Sequence, residues 1–162
     1  MIDKELAYIA GFLDGDGCIM LQLVYRHDYV LGYQIRASIV FYQKQQNKFF
    51  LEWLKNKFNN YGYIRNRPDN MSEYTIVGMK QVSEILNLLN PFLILKKRQA
   101  EIALSVIRKM PGKGKKMNAD LLLGLAREVD KFSYLNYSKK RTNTSVKVKE
   151  FLQLHNVGSR RD

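Results

Sequence analysis

Two aspartates stand close together near the N-terminus, in the segment IAGFLDGDG at residues 9–17. Ala10 and Gly11 place very small side chains on a predicted helix, which allows a second helix to approach closely. Asp14 and Asp16 then fall at the C-terminal end of that helix, where the helix dipole disfavours negative charge. A divalent cation such as Mg²⁺ could compensate, because it prefers oxygen ligands and needs only one or two carboxylates from a protein. A simple turn in which both acids bond backbone amides is the alternative that these residues alone leave open.

Other catalytic or metal-binding chemistry has little support in the sequence. An EF-hand is excluded, because the acidic residues do not continue at alternate positions and no Glu closes the loop. His27 and His155 are far apart and Cys18 is the one cysteine, so we expect no zinc site and a small buried hydrophobe at Cys18. The aromatic residues of the second predicted helix follow helical spacing, and we expect core packing rather than base stacking for Phe49, Phe50, Trp53 and Phe58.

The charge of the chain indicates a polyanionic partner. Lys and Arg total 27 against 15 Asp and Glu, a net charge of +12, and such a field attracts nucleic acid. The excess is uneven, with 13 basic and 10 acidic residues over 1–107 but 14 and 5 over 108–162. No apolar run approaches the roughly 20 residues needed to cross a bilayer, and no secretory or transit segment is evident. We therefore expect a soluble protein with no membrane partner.

Hydrophobic periodicity predicts helices that alternate with β-hairpins. The predicted helices cover about residues 4–14, 45–59, 80–89, 96–109, 118–131 and 145–154, and the strands lie at about 18–26, 33–42 and on both sides of a turn at 68–70. This order predicts an α+β fold, with an antiparallel four-stranded sheet in an αββαββα core and additional C-terminal helices. We expect one domain over residues 1–162, with the core at about 1–110 and a basic helical part at about 111–162.

One face of the predicted hairpins is polar and suited to the DNA major groove. A strand of about eight residues spans roughly 26 Å, comparable to eight base pairs, and a two-stranded ribbon fits the groove. Arg pairs well with guanine and Gln with adenine. The candidate base contacts are Gln22, Arg26, Tyr29, Gln34, Arg36, Ser38, Arg65, Arg67, Glu73 and Thr75. The candidate phosphate contacts are Lys115, Lys116, Ser138, Lys139, Lys140 and Arg141. A solvated surface residue is the alternative at each single position.

Residues 9–17 resemble the LAGLIDADG motif of the homing endonucleases. Gly15 replaces an Ala of the motif, and the matching positions are Ala10, Gly11, Asp14, Asp16 and Gly17. The single copy is similar to the homodimeric, intron-encoded type of algal chloroplasts. The similarity extends over about residues 5–155 and includes the stretches 41–44, 63–67, 91–96 and 135–141.

The resemblance implies a site-specific, double-strand DNA endonuclease that acts in intron homing on a long pseudo-palindromic target. Hydrolysis of a phosphodiester needs a metal-activated water and a metal-held leaving oxygen. The resemblance makes Asp16 the metal ligand, one from each subunit, with the Gly15 carbonyl beside it. It implies that Gln43 positions the attacking water and that Lys96 lies near the cleaved phosphate.

The basic pocket departs from the pattern of the family, because Asn47 stands where relatives can have arginine. We expect the neighbouring Lys48 to substitute for that arginine. The resemblance also implies Mg²⁺ as cofactor, with Mn²⁺ supporting activity, and a homodimer whose two-fold axis passes through the first helix. The predicted interface residues are Ala10, Gly11 and Asp14.

Two other functions and the location stay open. The same fold can act as an RNA maturase that assists splicing of its host intron, and a basic surface does not distinguish DNA from intron RNA. A DNA-binding protein without catalysis, such as a repressor, is the second alternative. The presence of both Asp14 and Asp16 favours cleavage. The resemblance places the protein in the chloroplast, and a mitochondrial or cytoplasmic location is the alternative.

Overall fold

The computed structural model describes residues 1–136 and 141–158. The helices are α1 (Asp3–Asp16), α2 (Lys48–Lys57), α3 (Met79–Leu89), α4 (Lys97–Lys109), α5 (Ala119–Ser133) and α6 (Ser145–Leu154). The strands are β1 (Gly17–Tyr25), β2 (Tyr33–Lys44), β3 (Tyr63–Asn66) and β4 (Met71–Val77), and 3₁₀ turns lie at Gln45–Asn47 and Asn90–Phe92. The predicted αββαββα order followed by further helices is confirmed. In the described part of the chain, no helix combines the length and the apolar character that a bilayer crossing requires.

The four strands form one antiparallel sheet in the order β1-β2-β4-β3. Phe41 of β2 lies opposite Tyr74 of β4, and both side chains are fully buried. Tyr42 lies opposite Glu73, which in turn lies opposite Arg65 of β3, so these three residues cross the other face in one row. Alternation along the strands therefore gives the sheet an apolar face and a face with polar and charged side chains, as the sequence predicted.

The chain divides into two compact units, and the division falls within β1, β2 and α4. The first unit comprises residues 1–20 and 37–104, and the second comprises residues 21–36 and 105–162. In the first unit, α1 packs on α3, while α2 and α3 pack on β4. In the second unit, α5 packs on α6, and the ring of Phe151 contacts Tyr25 and Tyr33. The single domain with a boundary near residue 111 stays a prediction.

Helix α2 corrects one expectation about the core. It begins at Lys48, after the 3₁₀ turn, and buries Leu51, Leu54 and Phe58 at spacings of three and four. Phe49 precedes Leu51 by two positions, which places it about 200° around the helix axis. Phe49 is accordingly 69% exposed, and its predicted place in the core is wrong. The expectation holds fully for Phe58, which is 2% exposed.

A glycine after α2 allows the second hairpin to begin. Gly62 has a φ of 71°, a conformation that L side chains rarely adopt. A Cβ atom at this position would clash with the carbonyl oxygen of Thr75 on β4. Glycine is therefore required for the close approach that starts β3.

Candidate active site and nucleic-acid interface

Asp14 joins the end of α1 to the start of α4. Its carboxylate accepts hydrogen bonds from the backbone N–H groups of Ile94 at 2.8 Å, Leu95 at 3.1 Å and Lys96 at 2.9 Å. These three residues directly precede α4, where free N–H groups and the helix dipole favour a negative charge. The interpretation that the acid bonds backbone amides is therefore correct for Asp14. Both of its carboxylate oxygens are engaged in this way, which fixes the loop that carries Lys96.

Lys96 is held beside the motif by a second contact. Its ammonium group donates a hydrogen bond to the main-chain oxygen of Asp14, two residues before Asp16. The same ammonium group is close enough to Cys18 to counteract part of the effect of burial, which raises the pKa of that half-buried thiol. Lys96 thus lies at the C-terminal end of α1, as expected of a residue that acts near the motif.

Asp16 is the last residue of α1, and its side chain is exposed. The helix ends because Gly17 is extended, and the Gly17 N–H makes the last helical hydrogen bond, to the Leu13 carbonyl. The carbonyl groups of the last turn have no partners within a helix, so the Gly15 and Asp16 carbonyls are further oxygen atoms at this end that a cation could bind. Within residues 1–136 and 141–158, no group of three or more His, Cys, Asp and Glu side chains could hold a metal ion.

This set of donors fits a hard cation that takes most of its ligands from elsewhere. One carboxylate and neighbouring carbonyl oxygens suit Mg²⁺ or Ca²⁺, which bind oxygen, and do not suit a zinc site. A magnesium ion commonly takes its remaining ligands from water and from substrate phosphate. A metal ion held by Asp16 would therefore take its other ligands from solvent, substrate or a second copy.

The Gln43 side chain is oriented by Asn47, the residue that stands where relatives can have arginine. Its side-chain oxygen accepts hydrogen bonds from the Lys44 backbone N–H at 3.0 Å and from the Asn47 side chain at 3.3 Å. This role of Asn47 was not predicted, because Gln43 lies in β2 and Asn47 in the following 3₁₀ turn, and no helical spacing connects them. Lys48 lies 3.8 Å from Glu52 in a solvent-exposed pair. Such a pair contributes about 0 to 1 kcal/mol, so it holds Lys48 only weakly.

In the first unit, the candidate base contacts are built around Glu73. The Arg65 guanidinium lies 2.7 Å from its carboxylate, and the Arg67 guanidinium lies 3.9 Å from it and 2.8 Å from Asp69. The Arg65 side chain is 65% exposed, whereas the Glu73 side chain is 11% exposed. The arginines are therefore the accessible members of this cluster, and Glu73 positions them.

Two other candidates in the first unit are covered by their neighbours. Ser38 is 3% exposed and Thr75 is 7% exposed, although both lie on the polar face. They offer little surface to a ligand, so the burial of their side chains does not favour the predicted base contacts. The polar pattern alone could not show this, because it gives the face of a strand but not the height of adjacent side chains.

In the second unit, the candidate base contacts form pairs across the hairpin. Arg36 donates a hydrogen bond to the Gln22 side chain at 3.1 Å, and Arg26 donates one to Gln34 at 3.3 Å. Arg26 also forms an ion pair with Asp28 at 2.7 Å, which lowers the pKa of that carboxyl group. The other predicted contact of this hairpin, Tyr29, is 38% exposed in its turn. The polar pattern of the two strands predicted these residues but not their pairing.

The predicted phosphate contacts differ in their surroundings. Lys115 and Lys116 are exposed in the loop between α4 and α5. Arg141 instead donates hydrogen bonds to the backbone carbonyl groups of Val129 at 2.7 Å and Leu21 at 3.4 Å. Burial lowers the pKa of its guanidinium, with Asp130 opposing the shift. Arg141 is thus engaged within the protein. The predicted contacts Ser138, Lys139 and Lys140 lie outside the described residues.

One exposed strip of α1 consists of small residues, but it does not include all of those predicted. Ala10 is completely buried in its own protomer, which removes it from a surface that another chain could contact. Gly11 and Gly15 are exposed, together with Ala7. A Cβ built at either glycine would meet no atom within 4 Å apart from its chain neighbours and the backbone of α1 itself. The open face of α1 therefore follows Ala7, Gly11 and Gly15 at intervals of four.

An aromatic groove lies between α1 and α2 and was not predicted. It encloses about 460 Å³ and is lined by Lys4, Glu5, Tyr8, Phe49, Phe50 and Trp53. Tyr8 is 59% exposed, and its ring lies 5.9 Å from that of Phe50 at an angle of 87°. The only signal in the sequence was the position of Phe49 outside the buried phase of α2. Exposed apolar surface of this kind is typical of a contact with another molecule.

Comparison with known proteins identifies similar sequences over most of the chain. The model of the LAGLIDADG endonuclease family matches residues 9–106. The DNA endonuclease I-CvuI of Chlorella vulgaris is 38% identical over 149 residues, which cover 92% of this chain and 90% of that protein. The DNA endonuclease I-CreI of Chlamydomonas reinhardtii is 36% identical over 151 residues, which cover 93% and 90%.

A solved structure is similar over the same length. The structure of I-CvuI in complex with its target in the presence of 2 mM calcium superimposes with a TM-score of 0.88 at 36% identity. The superposition covers 95% of this chain and 96% of that one. It confirms the predicted α+β fold.

Proposed function

The chain belongs to the LAGLIDADG endonuclease family, and we propose that it makes a site-specific double-strand break in a long, pseudo-palindromic DNA target during intron homing. Its relatives along nearly the whole length are DNA endonucleases. The observation that carries the proposal is the exposed carboxylate of Asp16, at the helix end that Asp14 fixes against the start of α4. A negative charge there is unfavourable for the helix itself, which argues for a functional reason.

The proposed catalytic groups have separate roles. Asp16 and the Gly15 carbonyl would hold a divalent metal ion, for which we propose Mg²⁺, with Mn²⁺ as a substitute. The metal would activate water and stabilise charge on the phosphorus and the leaving oxygen. Gln43, oriented by Asn47, would position the water. Lys96, held by Asp14, would stabilise charge on the cleaved phosphate, and the weakly held Lys48 would add a second cation.

A homodimer would complete the site. One protomer offers too few ligands in its described part, so a second Asp16 is a natural source of more. The open face of Ala7, Gly11 and Gly15 would let two α1 helices approach closely about a two-fold axis. The aromatic groove beside that face, with Tyr8 and Phe49 exposed, would add apolar surface to the same interface.

DNA recognition would divide between bases and phosphates. We propose base contacts by the exposed arginines Arg65 and Arg67 and by the cross-strand pairs of the first hairpin. Lys115 and Lys116 would contact phosphate, together with Ser138, Lys139 and Lys140 as predicted. The algal relatives support an organellar origin, for which the chloroplast is our proposal.

The test is cleavage of a randomised duplex library with Mg²⁺, followed by sequencing of the cut ends. The proposal expects paired cuts within one long, imperfectly palindromic sequence. Binding without cutting would indicate a DNA-binding protein instead. Tighter binding of a structured intron RNA than of any duplex, again without cutting, would indicate a maturase.

A further inference from the structure

The free edge of β1 is held by side chains from the segment after α5. Strand β1 is at one edge of the sheet, where backbone groups lack a neighbouring strand. Arg141 donates a hydrogen bond to the Leu21 carbonyl at 3.4 Å, and Asn143 donates one to the Leu23 carbonyl at 3.0 Å. Alternate residues of a strand direct their carbonyl groups to the same side. Two successive outward carbonyls of β1 therefore receive side-chain donors.

This segment is itself anchored at two points on α5. The Arg141 guanidinium donates a second hydrogen bond, to the Val129 carbonyl, at 2.7 Å. The Asp130 carboxylate accepts from the Ser145 N–H at 3.0 and 3.3 Å, at the first residue of α6. A carboxylate is favourable at a helix N-terminus. Residues 141–145 thus connect the edge of β1 to two helices of the second unit.

The anchored segment lies directly beside one pair of proposed base contacts. Leu21 and Leu23 flank Gln22, which accepts a hydrogen bond from Arg36. One polar pocket of about 220 Å³ is lined by Gln22, Leu23, Val24, Arg36, Arg141, Thr142 and Asn143. A displacement of the edge at Leu21 or Leu23 would therefore move Gln22 and change how it meets a base.

We propose that Arg141 and Asn143 are positioning residues that hold the edge of β1 and so set base discrimination by the Gln22–Arg36 pair. This inference rests on the proposed function, because it assumes that the pair contacts DNA. It also assigns Arg141 a role other than phosphate binding. A phosphate ligand contributes to affinity at every sequence, whereas a positioning residue affects discrimination at particular base pairs.

The experiment measures DNA binding by the full chain and its variants R141Q, R141K and N143A. One assay follows affinity against salt concentration, and the other measures affinity for targets changed at one base pair at a time. Q22A and R65A define which base pairs depend on each hairpin. K80Q is the matched control for the loss of one positive charge, since Lys80 is 79% exposed on α3, on the apolar side of the sheet.

The inference expects that the variants lose discrimination at particular base pairs, while the salt dependence of their affinity does not change beyond that of the control. R141Q and N143A should lose about tenfold in discrimination at the base pairs identified by Q22A and keep it at those identified by R65A. The salt slope should equal that of K80Q. R141K should not restore discrimination, because one ammonium group cannot replace a planar guanidinium that bonds two carbonyls.

Two results would overturn the inference. A slope reduced by about 0.9 in R141Q and restored in R141K would make Arg141 a phosphate ligand. If R141Q and N143A lost discrimination equally at all base pairs, or lost none, the contacts of Arg141 and Asn143 would serve only the stability of the fold. N143A keeps the test valid if R141Q does not fold, because it removes one neutral hydrogen bond. Since binding is measured, a wild type that binds but does not cut would refute the proposed function and leave this test intact.

Discussion

Asp14→Asn tests the junction between α1 and α4. The Asp14 carboxylate accepts three hydrogen bonds from backbone N–H groups. The amide of Asn keeps one of the two oxygens, so the substitution removes at most two of these bonds. Loss of a cap costs about 1 kcal/mol, and loss of a charge at a helix N-terminus adds about 0.3 to 1 kcal/mol. An NH₂ group facing N–H donors adds an unsatisfied contact of about 1 kcal/mol. We therefore expect the free energy of unfolding to fall by about 2 to 3 kcal/mol.

The assay is urea denaturation followed by circular dichroism, at one fixed protomer concentration because dimerisation would add to stability. Glu101→Gln is the matched control, since Glu101 is exposed on α4 itself and its loss should change stability by less than about 0.5 kcal/mol. If Asp14→Asn behaves like this control, the carboxylate does not stabilise the start of α4. The proposed position of Lys96 would then lack its support.

Three further predictions concern recognition, catalysis and assembly. Changing Lys115 and Lys116 together to Gln should reduce the slope of log affinity against log salt by about 1.8; an unchanged slope would exclude both as phosphate contacts. Asn47→Ala should lower kcat about two- to tenfold with KM nearly constant, because Gln43 loses a hydrogen bond. Single-turnover kinetics is the measurement, and a raised KM with an unchanged kcat would indicate instead that Asn47 binds DNA. Phe49→Ala should weaken dimerisation about tenfold in analytical ultracentrifugation while thermal unfolding of the monomer stays constant; an unaffected dimer would place the groove outside the interface.

The sequence was sufficient for most of the fold, because periodicity and turn residues act over a few positions. It was insufficient where partners are remote in the chain. Asp14 meets Ile94 and Arg141 meets Leu21, and no local pattern connects positions 80 or 120 residues apart. The exposure of Phe49 depends on which side of α2 packs against the rest of the first unit, and helical spacing among the aromatic residues does not determine that side.

The predicted site shows the same limit. The motif placed Asp16 at a helix end, as the structure has it, because the motif is contiguous. It did not show that Ala10 is inside the protomer while Gly11 is outside, since both are small and adjacent. Which of two neighbouring small residues is exposed depends on the elements packed against α1.

The most direct measurement compares wild type and Asp16→Asn for cleavage, DNA affinity and stability in one buffer with Mg²⁺. The account predicts that the variant binds the target as tightly as wild type and cuts it at less than about a thousandth of the rate. It also predicts equal or slightly higher stability, by about 0.3 to 1 kcal/mol, because the substitution removes a negative charge from the C-terminal end of α1. Cleavage by the variant at the wild-type rate would contradict the account, since no metal-holding role would then remain for Asp16.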